Sequence, residues 1–458
     1  CCIFFFQAED VIRDLVRSRG LGDVYKRQML TWNEMGVFGK TSLGNESVYN
    51  SGFALTKYIA QKYGEDKLGK ITKELGSFWN FSIDAAFDDV LGKDGNEIYD
   101  EWSNYLKSDY RKRTEKVLAN LVTGEKIGKD GFGNFYPIFS EDGKKVYYIS
   151  NKSSDYFGPA GIYEYDVETK TEKNIAGGVR STFSFIPGQN KIIYAKISED
   201  NENWYNVHDL FVYDITEEEE TRLTYNLRAN HPSISHDGKK IVFLYQKDGT
   251  TNLGSVDING KNFKRLTFYE NGEQVYNPKF SPDDSFIVFD YSYGNTRDIA
   301  KVNSEGGNVE FVIATNNDER NPAFDKDGNI IYASDETGIF NIYRFTETTK
   351  AKKQLTNVLG GAFMPNVNQA GEIVYSGYTS TGYKIFSVNE VEQQKVIAVS
   401  YTHLRAHETV LDLVCRLLLE KKKKKNQNAR NHFLYVERNI QNRDKYHYII
   451  LHTIIESE

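Results

Sequence analysis

The sequence predicts a mainly β protein, a six-bladed β-propeller preceded by a small α-helical segment. Three observations lead to this prediction. Aromatic residues make up 14% of the 458 residues, and such residues favour strands. A unit of about 45 residues with several strand signals recurs along the middle of the chain, which is typical of propellers. The stretch before these units lacks proline and places its apolar residues at helical spacing.

A proline near the start of each unit marks the repeat. The last four of these prolines are 46, 44 and 43 residues apart, whereas the first two are 95 residues apart. A degenerate copy that begins at Phe183 fits inside the long gap, so the number of units is six. The five prolines are Pro137, Pro232, Pro278, Pro322 and Pro365.

Each unit has the internal pattern of a four-stranded blade. Asp-Gly pairs such as Asp142-Gly143 predict tight hairpin turns, because glycine adopts a positive φ without strain. The second strand is continuously apolar or aromatic, as expected for a strand covered by neighbouring blades. We expect the prolines at the head of the first strand, where no ladder donor is needed. An Arg-Leu-Thr motif closes the outer strand at Arg222–Thr224 and Arg265–Thr267.

Four short helices, each with one apolar face, are predicted within residues 29–116. Asp66 and Ser82 are expected to cap the second and third of these helices at their N-termini. Gly92 is expected to end the third, because helix C-termini favour glycine. A segment of this size needs a partner to cover its apolar faces.

The proline, the following Ser-x-Asp-Gly and the closing Arg-Leu-Thr together resemble the TolB-like propeller repeat. The same repeat occurs in the propellers of prolyl-oligopeptidase-type serine peptidases. The resemblance covers Tyr136 to Val391, and we assign residues 118–398 to the propeller. We also predict that the segment Lys116–Gly128 supplies an outer strand that joins the first blade to the last. The sequence alone does not determine whether the ring of blades is closed.

The helical segment, residues 29–117, is similar to the C-terminal helices of the peptidase-MA-like gluzincins. The similarity lies in the stretch from Tyr49 to Leu75, in Ala85–Gly92 and in Glu101–Leu106. Gluzincins bind zinc through an HExxH helix, and no HExxH motif occurs in this sequence. The resemblance therefore implies only the part of such a domain that follows the metal site.

The two ends of the chain differ in composition from its middle. Residues 1–28 and 399–458 hold all three cysteines, and each end resembles translated sequencing-adaptor read-through at the edges of metagenome-derived proteins. We expect both ends to be artefact, with the first disordered or helical. Residues 29–398 carry 41 basic and 53 acidic residues, and the whole chain has a net charge of −7. Such an acidic balance argues against nucleic-acid binding. No run of 18 apolar residues predicts a transmembrane helix.

We predict no catalytic, cofactor-binding or metal-ligating residue in this chain. The histidines of residues 29–398, His208, His231 and His236, are predicted to lie in turns and loops. Trp204 and Tyr205, in a long insert, form the candidate recognition patch.

By resemblance, TolB-like propellers work in the bacterial envelope as partners of other envelope proteins. We therefore expect a non-catalytic scaffold that binds a protein or peptide, in the periplasm or outside the cell. The alternative is an inactive fragment of a secreted or envelope gluzincin peptidase whose HExxH motif lies upstream. Zinc would then belong to the intact parent. A third hypothesis is a sensor that binds sugar or peptide in the propeller channel.

Overall fold

The computed structural model describes residues 29–37, 44–78, 80, 82–128, 130–152, 160–179, 181–198, 206–294, 296–393 and 396. The side chains of residues 44–47, 50 and 113 are not described. The predictions for residues 1–28 and 399–458 lie outside the described residues, as does the Trp204–Tyr205 patch.

The described chain begins with helices whose ends follow from local sequence. These helices are α1 (Trp32–Met35), α2 (Gly44–Tyr63), α3 (Glu65–Glu74), α4 (Ile83–Leu91) and α5 (Gly95–Ala119).

The predicted capping residues are right for α4 and wrong for α3. Ser82 accepts a backbone hydrogen bond at the start of α4, and Gly92 ends this helix with a φ of 72°. By contrast, α3 begins at Glu65, directly after Gly64, whose φ of 103° turns the chain between α2 and α3. Asp66 lies inside the first turn, where its carboxylate interacts favourably with the helix dipole.

The helices bury one apolar face each against the others. Leu55 and Ile59 of α2 pack with Phe87 of α4 and with Ile98 and Trp102 of α5. All five side chains are buried. This packing stabilises helices that would be marginal in isolation.

The strands form six four-stranded antiparallel sheets, the blades. Blade 1 contains β2 (Asn134–Phe139), β3 (Lys145–Ser150), β4 (Gly161–Asp166) and β5 (Glu172–Gly177). Blade 2 contains β6 (Phe183–Phe185), β7 (Lys191–Ser198), β8 (Val207–Asp214) and β9 (Glu219–Arg222). Blade 3 contains β10 (Ala229–Ile234), β11 (Lys240–Lys247), β12 (Thr250–Asp257) and β13 (Lys264–Arg265).

The remaining blades follow the same order, except that the last takes its outer strand from the start of the propeller. Blade 4 contains β14 (Gln274–Phe280), β15 (Phe286–Ser292), β16 (Arg297–Asn303) and β17 (Val309–Ile313). Blade 5 contains β18 (Glu319–Phe324), β19 (Ile330–Ser334), β20 (Asn341–Thr346) and β21 (Ala351–Gln354). Blade 6 contains β22 (Ala362–Val367), β23 (Ile373–Thr379), β24 (Gly382–Val388) and β1 (Glu125–Ile127). A short helix, α6 (Glu390–Gln393), follows.

The ring is closed by β1. Its residues pair with β24 from Glu125 opposite Ser387 to Ile127 opposite Ile385. The prediction that Lys116–Gly128 supplies this strand is confirmed, although α5 extends to Ala119 and only three residues form the strand. A buried cluster that includes Tyr148 of blade 1 and Val374 of blade 6 fills the closing interface. Closure therefore rests on both strand pairing and packing.

Each blade contributes one fully buried aromatic side chain from the third or fourth position of its second strand. These rings lie between neighbouring blades, where their large apolar area supplies much of the core. They are Tyr148, Tyr194, Phe243, Phe289, Tyr332 and Tyr375.

Antiparallel order places two sets of connections at opposite ends of the propeller. Turns between first and second strands share one end with those between third and fourth strands. The other end, here called the linker end, holds the linkers from each outer strand to the next inner strand. At the first end, Ser140 donates to Asp142, which in turn accepts the Lys144 N–H, and Gly143 has a φ of 71°. The predicted Asp-Gly hairpin turns are thus confirmed.

A candidate ligand-binding site on the propeller axis

The inner strands of five blades contain a β-bulge at the proline. Strand pairing skips from Asn230 to Ser233 in β10 and from Tyr276 to Lys279 in β14. The same irregularity occurs in β2, β18 and β22. The prediction that the prolines lie at strand heads is therefore wrong. Each proline lies inside a strand, at a bulge, where its missing N–H costs no ladder hydrogen bond.

The residue before each of these prolines has a left-handed backbone, with φ between 48° and 56°. Such a conformation in a non-glycine residue costs roughly 1–3 kcal/mol, and strained residues concentrate at ligand-binding sites. The repetition of this strain in five blades therefore identifies the inner strands as a candidate site. The residues are Tyr136, His231, Asn277, Asn321 and Met364.

Four of these five residues line a pocket at the axis, where the inner strands of blades 1, 4, 5 and 6 meet and Thr182 adds the residue just before the inner strand of blade 2. The pocket has about 390 Å³ of empty volume, including the part open to solvent. The lining residues are Tyr136, Pro137, Ile138, Thr182, Asn277, Lys279, Asn321, Pro322, Met364, Pro365 and Asn366.

Tyr136 and His231 contact each other from blades that are not neighbours. Their ring centroids are 5.9 Å apart and the rings are nearly perpendicular, at 86°, which is a favourable edge-to-face arrangement. Burial raises the pKa of Tyr136 to about 12 and lowers the pKa of His231 to about 4. Both side chains are therefore neutral at pH 7.

The structure corrects two of the three histidine predictions. His231 lies in β10 and His208 lies in β8, whereas they were predicted in turns or loops. His236 does lie in a turn, as predicted. The sequence could not place His231 correctly because the bulge depends on pairing with β11.

A buried carboxylate ties blades 4 and 5 together behind the pocket. Asp290 of β15 accepts hydrogen bonds from Asn277 Nδ2 at 3.0 Å and from the Asn321 backbone N–H at 2.9 Å. Arg297 Nη1 lies 3.4 Å from the same carboxylate. Burial raises the pKa of Asp290 to about 6, because desolvation outweighs the attraction of Arg297. This network fixes the orientation of the Asn277 amide.

Two exposed aromatic side chains lie at the linker end. Tyr225 and Phe268 follow the outer strands of blades 2 and 3, and their exposed fractions are 69% and 68%. Arg222 stacks on the Tyr225 ring at 4.4 Å, and Arg265 stacks on the Phe268 ring at 4.9 Å. These cation–π contacts hold the two rings in place at the surface.

The chemistry of the pocket favours binding over catalysis. Its lining offers amides, prolines and a single charged side chain, Lys279, with neither a carboxylate pair nor a nucleophile beside a base. Within the described ranges, no three His, Cys, Asp or Glu side chains come together in a group that could hold a metal ion. The absence of catalytic, cofactor-binding and metal-ligating residues stays a prediction.

The recurring residue-proline pairs are the sequence signal for this site. From the sequence alone they predict strand starts, because a bulge is visible only in the paired strands. The recognition patch predicted at Trp204 and Tyr205 lies outside the described residues and stays a prediction. None of the described helices combines the length and apolar character needed to cross a bilayer.

Comparison with known proteins extends these findings. A family model described as "TolB beta propeller domain" matches residues 134–369, just over half of the chain. The "Tol-Pal system protein TolB" of Francisella tularensis subsp. holarctica is 25% identical over 245 residues, which are 52% of this chain and 51% of that protein. An uncharacterized protein of Agrobacterium fabrum is 28% identical over 182 residues, covering 38% of this chain and 59% of that protein.

Among solved structures, TolB from Acinetobacter baumannii aligns with 21% identity and a TM-score of 0.44 over 51% of this chain and 57% of that chain. The chain spans about half the length of the Francisella relative. The family match begins at residue 134, after the helical segment. The gluzincin resemblance of residues 29–117 and the adaptor resemblance of the two ends therefore stay predictions.

Proposed function

Because this chain belongs to the TolB β-propeller domain family, we propose that it is a non-catalytic scaffold that binds a protein or peptide. The ligand docks at the linker end and inserts a side chain or chain terminus into the axial pocket. The observation that carries the proposal is the set of five strained residues on the inner strands, four of which line the pocket. Strain of this kind persists where it positions groups for binding.

We place this function in the bacterial envelope, in the periplasm or outside the cell. The support is the similarity to proteins named as components of the Tol-Pal system. The exposed Tyr225 and Phe268 rings at the linker end suit a protein partner, since aromatic residues dominate protein interfaces.

Selection of a random peptide library on the immobilised full chain tests the proposal. Affinities of the selected peptides are then measured by calorimetry for the wild type and for Ile138→Trp. This substitution places a larger side chain in the pocket lining and so reduces the space for a ligand. We expect Ile138→Trp to bind roughly tenfold more weakly or worse. Phe268→Ala tests the linker end separately and leaves the core untouched, because this ring is exposed.

Val167→Trp is the matched control, since Val167 is 41% exposed in a turn at the opposite end. It should bind the peptides as the wild type does. Failure to select any peptide would contradict the scaffold proposal. Equal affinities of all variants would place the binding site elsewhere.

A further inference from the structure

Lys279 differs from the residues at the same position in the four other blades whose inner strands carry the bulge. It follows the bulge of β14, and like them it is the first residue to resume pairing with the second strand. The equivalent residues are uncharged: Ile138, Ser233, Ala323 and Asn366. A lysine at this position is not required to build a blade. The fold of the blade therefore does not explain why a lysine lies in the axial pocket, and a role in binding a ligand would.

No described carboxylate compensates the charge of Lys279. Burial is the one cause that lowers its pKa, to about 8, and no neighbouring acid raises it again. The buried Asp290 nearby is already engaged by Asn277, Arg297 and Asn321. Lys279 is still mostly protonated at pH 7. A partly buried cation without a counter-ion is unfavourable until an anion joins it.

A second group in the pocket lacks a partner. Asn277 is 6% exposed, and its side-chain amide lies close enough to the His231 ring to influence the pKa of that histidine, but its Oδ1 atom completes no hydrogen bond within the described protein. The amide cannot gain a partner by flipping, because its Nδ2 already donates to Asp290. The pocket therefore offers a cation and an unsatisfied acceptor two residues apart on β14. A ligand that fits both carries an anion together with an N–H donor, as a peptide does. Phosphate acts mainly as a hydrogen-bond acceptor, so it would pair with Lys279 but would leave Asn277 Oδ1 without a donor.

We infer that the axial pocket binds a carboxylate of a peptide ligand at Lys279, with Asn277 Oδ1 accepting a hydrogen bond from an N–H of the same ligand. This inference rests on the proposed function and specifies its ligand. The carboxylate can belong to the C-terminus of the ligand or to an Asp or Glu side chain. The test separates these two sources.

Competitive lysine labelling tests the inference on the full chain without a known partner. The protein is acetylated briefly with acetic anhydride at neutral pH, and mass spectrometry measures the labelling rate at Lys279. The probes are N-acetyl-alanyl-alanine, its C-terminal amide, the α-amide of N-acetyl-aspartate, whose side-chain carboxylate is free, sodium phosphate and sodium glucuronate. Lys326, on an exposed hairpin turn, is the internal control.

We expect the free-carboxylate dipeptide to slow the labelling of Lys279 roughly tenfold at saturation, while the amide has no effect and Lys326 is unchanged. Protection by the aspartate probe alone would identify a side-chain carboxylate as the source. Equal or stronger protection by phosphate or glucuronate would overturn the assignment of a peptide carboxylate, as would protection by the amide.

The peptides selected in the preceding experiment separate this inference from the proposed function. Lys279→Met should weaken their binding roughly tenfold, whereas Lys279→Arg, which keeps the charge, and the surface control Lys326→Met should not. If peptides bind the wild type and Lys279→Met equally, the inference fails and the scaffold proposal stands. If no peptide is selected, the scaffold proposal fails and the labelling experiment alone decides about Lys279.

Discussion

At the level of single residues, the threonine of the Arg-Leu-Thr motif holds the third strand of its blade. In blade 3, the Thr267 hydroxyl donates to Asn252 Oδ1 at 2.9 Å and accepts the Leu253 N–H at 2.9 Å. Asn252 Oδ1 also accepts the Tyr269 N–H. The motif was recognisable in the sequence, but its partner lies 15 residues earlier on another strand. The same arrangement joins Thr224 to Asp209 and Thr356 to Asn341.

Thr267→Val tests this role. Valine has nearly the same shape but leaves the Leu253 N–H without its acceptor and Asn252 without one donor. Because these groups are buried, we expect the free energy of unfolding to fall by roughly 1–3 kcal/mol. Urea denaturation measures the change. Thr267→Ser keeps the hydroxyl and should cost less, so equal losses for the two variants would contradict the role of the hydrogen bonds.

At the level of elements, the closing strand β1 depends on the glycine before it. Gly124 has a φ of 68°, and a Cβ atom there would collide with the Ser387 carbonyl oxygen of β24. This close approach lets a three-residue strand reach its partner. The sequence predicted the strand from its position, but the contact is a property of the closed ring.

Gly124→Ala should therefore destabilise the protein by more than the cost of placing an alanine at a positive φ. The matched control is Gly188→Ala, since Gly188 has a φ of 69° and no atom within 4 Å of an added Cβ. We expect the control to lose about 1 kcal/mol and Gly124→Ala to lose roughly 2–4 kcal/mol, because β1 must move away from β24. Urea denaturation of both variants measures the difference. Similar losses would show that β1 does not depend on this approach.

At the level of the molecule, the helical segment and the propeller share a core. Val117 of α5 is 1% exposed and packs in one cluster with Leu355 and Val358, at the junction of blades 5 and 6. Just beyond the helix, Val122 and Asn357 exchange two backbone hydrogen bonds, of 2.9 Å and 3.1 Å. The apolar faces of the helices predicted that a partner must cover them, and for the end of α5 this partner is the propeller.

Val117→Asp should lower the stability of both parts together. Burying a charge in this cluster is expected to cost roughly 3 kcal/mol or more. Leu118→Asp is the control, since Leu118 is the next residue on the same helix and is 42% exposed. Its effect should stay within about 0.5 kcal/mol. Thermal unfolding followed by far-UV and near-UV circular dichroism measures both variants. Separate transitions for the helical and aromatic signals would contradict a shared core.

The sequence alone was sufficient to predict the number of blades and the hairpin turns, because the repeat has a nearly fixed length and each turn needs a glycine at positive φ. The closing strand was predicted from its position before the first repeat. The caps of α4 at Ser82 and Gly92 also follow from local sequence. The predicted cap at Asp66 is wrong because Gly64, with its positive φ, ends the turn after α2 and lets α3 begin one residue before Asp66.

The axial site, by contrast, emerges only when the ring is assembled. The bulges that strain Asn277 and its counterparts are local shifts in the pairing of each inner strand with the second strand of its blade, so they exist only once the two strands pair. Tyr136 and His231 meet although they are far apart in the chain, and Lys279 is shielded from solvent because residues of other blades line the same pocket. Burial and long-range contact create the strain, the shifted pKa values and the unsatisfied acceptor, and neither can be inferred from the order of residues within one repeat.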